Sequence, residues 1–196
     1  MEITLDLNRR YTYAEYLTWT NSESYELLNG FIRLMSSVSS PEHDIVLKRI
    51  AALLTDFIDE NKDNCRVFCA PFDVRLPKNP NETADNQIYT VVHPDICLVC
   101  DNSALDKRGC LGAPDLVVEI LSLSSQRYDL NERFNLYEVA GVKEYWVVSP
   151  KEKGINVFIL QEDGEYDAGT VFEGNTQAPV LTLQGLSLSL EELFKD

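Results

Sequence analysis

Glu119 is the residue whose surroundings most demand a chemical explanation. It lies in Leu116-Val117-Val118-Glu119-Ile120-Leu121, a run that is apolar on both alternating faces. That is the pattern of a strand covered on both sides. An ionised carboxylate inside such a strand is costly unless it is paired, hydrogen-bonded or bound to metal. Asp115, four residues earlier, shares its face. Asp95 opens a second apolar run, Ile96 to Cys100, directly after Pro94. Two neighbouring strands that each carry an acid bring carboxylates side by side, and a divalent cation relieves their repulsion. Carboxylate oxygens with a backbone carbonyl and waters suit Mg²⁺ or Mn²⁺. The alternative is that Asp95 caps a turn after Pro94 and Glu119 pairs with an arginine, since structural ion pairs also place acids inside.

The elements that must position these acids are legible in outline. A short helix is expected over Tyr11 to Trp19, with Thr12 as its N-cap. Asn29-Gly30 between Tyr25–Leu28 and Phe31–Leu34 is a strong hairpin signal. Ser40-Pro41-Glu42 marks a helix start, and Leu47, Ile50, Ala51, Leu54, Phe57 and Ile58 continue at helical spacing to about Asn61. Strands are expected over Cys65–Leu76, Ile88–Val92, Asp95–Cys100, Leu116–Leu121 and Glu144–Val148, with loops at Pro77–Gln87 and Asp101–Ala113. A second amphipathic helix spans Gln126 to Ala140 and closes on Gly141. Ile155–Leu160 and Tyr166–Phe172 suggest a hairpin around Asp163-Gly164, and Leu186–Phe194 a strand or short helix. Helices separated by groups of strands predict an α/β (α+β) fold, a mixed sheet flanked by helices with a β-rich tail.

Other chemistries find little support. There is no GxGxxG, P-loop, HExxH or GxSxG, which disfavours nucleotide cofactors and serine-hydrolase chemistry. The cysteines number five, Cys65, Cys69, Cys97, Cys100 and Cys110. They are expected to stay reduced in a chain read as cytoplasmic. Cys97 and Cys100 have CxxC spacing, but three residues apart on a strand they point to opposite faces and cannot share one zinc. No apolar run approaches a membrane span, and Met1 to Arg10 lacks the apolar core of a signal peptide.

A longer set of residues carries a family resemblance. Pro94-Asp95 with Glu119 follows the PD-(D/E)XK arrangement. To it are added Tyr25-Glu26-Leu27-Leu28-Asn29-Gly30, His43, Gly112 to Ser122, Tyr137 and Gly141-Val142-Lys143-Glu144-Tyr145-Trp146-Val147-Val148. In order and spacing this set resembles the Uma family of putative restriction endonucleases, of the restriction-endonuclease-like superfamily, from about residue 11 to residue 150. A tail over 151–196 completes what is read as a single domain over 1–196.

The resemblance implies a metal-dependent endonuclease hydrolysing phosphodiester bonds of DNA. Asp95 and Glu119 would hold Mg²⁺ or Mn²⁺ with the carbonyl of Ile120, and Glu26 and His43 would contact the site. On their own residues, Glu26 is equally a polar residue on a hairpin face, and His43, aligned with Leu47, Ile50 and Leu54, is more often a core histidine than a base. The resemblance also allows a homodimer. One position departs from the pattern. The superfamily places a lysine two residues after the glutamate, where this chain has Leu121. The Uma family places it in a following D-x-x-x-K stretch, here Asp129-Leu130-Asn131-Glu132-Arg133. Arginine effectively cannot lose its proton as a buried lysine can. Arg133 can still hold a phosphate and stabilise negative charge, or simply pair with Asp129 on the helix surface. The departure admits a second reading, a non-catalytic binding or regulatory module on a nuclease fold. A third is a metal hydrolase of small phosphoesters.

Charge bears on the partner. The formal net charge is -15, and phosphate binding ordinarily leaves a basic footprint. The excess is uneven: residues 154–196 hold eight acids against one base, Lys195. Acidity therefore predicts weak non-specific affinity for DNA without excluding a phosphate substrate.

Overall fold

The computed structural model describes residues 5–20, 24–35, 40–122 and 127–195, the side chains of 127–129 excepted. In chain order, helix α1 (Tyr13–Tyr16) precedes a hairpin of β1 (Tyr25–Leu28) and β2 (Phe31–Leu34), then helix α2 (Pro41–Asn61). Strands β3 (Arg66–Cys69), β4 (Asp73–Arg75), β5 (Val91–Val92), β6 (Ile96–Val99), β7 (Leu105–Asp106), β8 (Gly109–Leu111) and β9 (Leu116–Ile120) follow. Helix α3 (Arg127–Ala140) leads into β10 (Glu144–Ser149), β11 (Gly154–Ile159), β12 (Thr170–Glu173), β13 (Gln177–Pro179), β14 (Ser187–Ser189) and helix α4 (Leu190–Leu193).

The strands form two mixed six-stranded sheets, ordered β2-β1-β5-β4-β8-β7 and β12-β11-β10-β9-β6-β3, with β13 and β14 as a separate pair. The architecture is the mixed sheet flanked by helices that the sequence predicts. In the second sheet β9 runs parallel to β10 across α3, and antiparallel to β6. That βαβ unit explains why β9 is apolar apart from Glu119: both of its faces are covered. On one face Leu116, Val118 and Ile120 pack with Ile50 and Leu54 of α2 and with Leu188, Leu190 and Leu193 of the tail. On the other, Val117 packs with Cys97, Tyr145 and Tyr137 of α3. By alternation Glu119 belongs to this second face.

Local chemistry accounts for the well-placed boundaries. Thr12 and Glu15 form a capping box on α1. Asn29 and Gly30 both adopt positive φ, as a tight hairpin turn requires. Ser40 Oγ accepts from the His43 amide to cap α2, and Pro41 occupies the first turn. Gly141 takes a positive φ at the end of α3.

Three expectations are corrected. The strand read over Cys65–Leu76 is two, β3 and β4, in different sheets, because Pro71 between them has no amide hydrogen to continue a ladder. The loop read over Asp101–Ala113 contains the ladder of β7 and β8, with β8 parallel to β4. Strands of two and three residues carry too little alternation to be seen in a sequence. Finally, Cys65 and Cys100, expected as free thiols, form a disulfide. Arg66 faces Val99 in the β3–β6 ladder, and one further step sets the two cysteines opposite each other.

Candidate active site

The β6–β9 register brings the predicted acids together. Ile96 pairs with Val118, so Asp95 and Glu119 stand at the next position of the same antiparallel ladder, on one sheet face. The amide of Ile120 donates to Asp95 Oδ2 at 2.7 Å, which fixes that carboxylate. His43 Nε2, at the N-terminal end of α2, lies 3.3 Å from Asp95 Oδ1. The contact with Asp95, opposed by burial, raises the pKa of His43. His43 faces inward as its helical alignment predicts, and its partner is an acid of the site rather than core alone.

Helix α3 covers the other side of Glu119. Arg133 and Tyr137, one helical turn apart, both reach it: Arg133 Nη1 donates to Glu119 Oε1 at 2.8 Å and the Tyr137 hydroxyl donates to the same oxygen at 2.6 Å. The other guanidinium nitrogen, Nη2, donates to Glu26 Oε2 at 2.8 Å. Glu26 in turn accepts from the His93 amide through Oε1 at 2.8 Å. Arg133 therefore bridges two buried acids, and the pairing of Glu119 with an arginine that its sequence environment allows is realised. The Asp129 side chain, the alternative partner, lies outside the described residues. The five residues singled out meet at one place: Glu26, Arg133 and Glu119 form one hydrogen-bonded set, and His43 with Asp95 a second, set opposite it by the β6–β9 ladder.

The electrostatics are unusual. Burial pushes the Glu119 pKa up to about 7; Arg133 works to lower it, while the charges of Asp95 and Glu26 raise it further. The guanidinium therefore does not fully compensate the negative charge gathered here. Among the described residues no group of three or more His, Cys, Asp or Glu side chains is arranged to hold a metal ion. Asp95 and Glu119 are nevertheless two hard oxygen donors. Mg²⁺ ordinarily takes only one or two carboxylates and keeps several waters, so the donor set fits such a cation in kind and in charge.

Tyr137 and Asp73 make contacts that the sequence does not reveal. Tyr137 looks like core in the sequence, and it is fully buried, yet its hydroxyl is spent on Glu119. Asp73, Tyr13 and His93 form a second cluster nearby: Tyr13 donates to Asp73 Oδ2 at 2.5 Å and His93 Nε2 lies 2.8 Å from Asp73 Oδ1. Asp73 opens β4, inside the stretch Cys65–Leu76 that the sequence pattern presents as one strand. The available signal was His93 itself, a histidine two residues before Asp95.

The family model described as "Uma2: Putative restriction endonuclease" matches residues 13–191. The chain belongs to the Uma2 family. The match runs through the tail to α4, beyond the stretch that the motifs alone delimit. Among curated proteins, the uncharacterized protein slr1290 of Synechocystis sp. is 26% identical over 155 residues, which span 78% of this chain and 75% of that protein. A crystal structure described as "a putative nuclease belonging to DUF820" from Anabaena variabilis superposes with a TM-score of 0.73 at 19% identity, over 94% of this chain and 97% of that one. That likeness shows a shared fold. Within the Uma2 chain described here, no helix among the described residues is long and apolar enough to cross a membrane.

Proposed function

We propose that this Uma2 protein is a divalent-cation-dependent endonuclease that hydrolyses phosphodiester bonds of DNA. The observation that carries this reading is the meeting of Asp95 and Glu119 on one ladder, with the Glu119 pKa raised to about 7 by burial and neighbouring acids. Uncompensated carboxylate charge at a buried position suits a cation, and the family supplies the reaction class. Asp95 and Glu119 would hold Mg²⁺ or Mn²⁺, whose bound form supplies Lewis acidity toward a phosphate oxygen and the attacking water. The remaining roles belong to the chain. Asp95 is oriented by the Ile120 amide and by His43. Arg133 swings one guanidinium nitrogen from its carboxylate to a phosphate oxygen and stabilises charge gained in the transition state. Glu26 keeps Arg133 in place, and His43 orients water or ligand.

The decisive experiment measures cleavage of DNA with Mg²⁺ or Mn²⁺ by the wild type and by Asp95→Asn, with calorimetric titration of the cation into both. We expect cleavage and cation binding in the wild type and a loss of at least about a hundredfold in cleavage by the variant, the scale on which misplaced reacting groups act. Equal cleavage by both proteins removes Asp95 from the site, and absence of cation binding removes the metal.

One observation favours a second reading, a non-catalytic module on the same fold: Arg133 already contacts both Glu26 and Glu119 at 2.8 Å. Arg133→Lys separates the two. The proposed nuclease cleaves before the substitution and keeps cleaving after it. A wild type that is inert, with activity appearing only in Arg133→Lys, identifies the non-catalytic module.

A further inference from the structure

Beside the carboxylate site lies a pocket of about 340 Å³, walled by Tyr16, Trp19, Tyr25 and Met35, with Asp73 and His93 also lining it. Glu26 is the partition between the two. It follows Tyr25 in β1, accepts from the His93 amide, and pairs with Arg133 on its other oxygen. His93 is itself two residues from Asp95. The Tyr16 phenol senses both compartments: burial raises its pKa to about 12, helped by the charges of Asp73 and then Glu26.

The walls are aromatic and the lining acid is ordered. Trp19 and Tyr25 meet edge to face at 87° with centroids 5.7 Å apart, and Tyr16 is tilted 59° from Trp19 at 5.1 Å. Such an arrangement offers a ring face to stack on and ring edges to close the sides. Burial works to raise the pKa of Asp73, but hydrogen bonds from His93 and Tyr13 hold it below the ordinary carboxylate value. Each of its oxygens keeps a lone pair beyond those bonds.

We infer that this pocket is a subsite for one unpaired nucleobase bearing an exocyclic amino group, stacked on Trp19 with Tyr16 closing the side, and donating that amine to Asp73. The inference rests on the reading of the neighbouring site as a nuclease centre and adds what the strand presents beside the scissile phosphate. A carboxylate is the natural acceptor for the amino group of cytosine, and base–aromatic stacking needs no particular sequence. Thymine, which has no amino group, fits less well. The volume lies within the about 300–1,000 Å³ of small-molecule pockets, more than a small quaternary ammonium ion fills.

The test is a binding measurement in EDTA, so that cleavage plays no part. Short single strands carrying one central dC, dT or abasic position are titrated while tryptophan fluorescence is followed. The only other tryptophan, Trp146, is fully buried and does not report on the pocket. We expect the dC strand to quench Trp19 and to bind on the order of tenfold tighter than the abasic strand, and several-fold tighter than the dT strand. Asp73→Asn erases the preference for dC over dT, and Trp19→Ala loses the advantage over the abasic strand. The comparison of the three strands on the wild-type chain needs no variant and decides by itself. Equal binding of all three overturns the inference. Quenching by tetramethylammonium chloride but not by the strands assigns the pocket to a cation instead. Cleavage without base preference leaves the nuclease reading standing and this one fallen; base-dependent quenching without cleavage does the reverse.

Discussion

Glu119→Gln is expected to make the protein more stable and, at the same time, inactive. At pH 8 without added cation, the variant should exceed the wild type by about 2–3 kcal/mol in unfolding free energy. The sign follows from the raised pKa. In the unfolded chain a glutamate ionises near its model value of 4.5, whereas in the native site it ionises near 7. Between those values the native state binds more protons than the unfolded state, so stability falls as pH rises through the window and stays low above it. Glutamine has no proton to lose. Its amide oxygen still accepts from Arg133 and Tyr137, and Arg133 keeps its contact with Glu26. Denaturant unfolding at pH 4.5 and pH 8 checks this: the two proteins should match at the lower pH and diverge at the higher. The same substitution removes one of two anionic cation ligands and should lower Mg²⁺-dependent cleavage at least about a thousandfold, a loss of about 4 kcal/mol in transition-state stabilisation. Opposite effects on stability and activity are what a site built for function predicts. A variant less stable than the wild type at pH 8 would place Glu119 as a structural ion-pair partner of Arg133 and nothing more.

How far the sequence reveals this site depends on how local each signal is. Glu119 is visible because its anomaly is contained in six residues, an acid in an otherwise apolar strand. The hairpin at Asn29-Gly30 and the start of α2 at Ser40-Pro41 are visible for the same reason, since each turn or cap is specified by the residues that form it. The joining of β9, α3 and β10 into a parallel unit follows from one helix between two apolar strands. What the sequence cannot display is pairing between distant segments whose residues look ordinary alone. Arg133 bridging Glu26 across 107 residues is of this kind, and so is Tyr13 meeting Asp73 across 60. The Cys65–Cys100 bond needs the β3–β6 register, which neither strand states by itself. Family resemblance filled some of these gaps by naming Glu26 and Arg133. It did not give their contact, and that contact changes the chemistry: the residue standing in for a lysine is already held by two carboxylates.

A single buried acid of the core anchors the acidic tail to the sheet. Glu144 is only 1% exposed and opens β10, the strand beside β9. Its carboxylate accepts from Trp146 Nε1 at 2.8 Å, from the amides of Leu181 and Thr182 at 3.1 and 2.8 Å, and from the Thr182 hydroxyl at 2.7 Å. Four donors converging on one anion pin the segment after β13 against the central sheet, where Val180, Leu183 and Leu186 join the main core. Glu144→Ala leaves all four donors without their acceptor in a space too confined for ready solvation. Breaking such a buried charged network costs about 3–5 kcal/mol, which for a chain of this length lowers the melting temperature by roughly 10 °C or more. Thr182→Ala, which deletes one donor and leaves the carboxylate three, should cost only about 1 kcal/mol. Thermal unfolding of both variants measures the ratio. Limited proteolysis locates the loss, with cleavage of Glu144→Ala expected between β13 and β14 before the β6–β9–β10 ladder is attacked, because those ladder strands keep their packing against α2 and α3 when the tail lifts away. Equal costs for the two variants would mean that the network around Glu144 is solvated rather than buried.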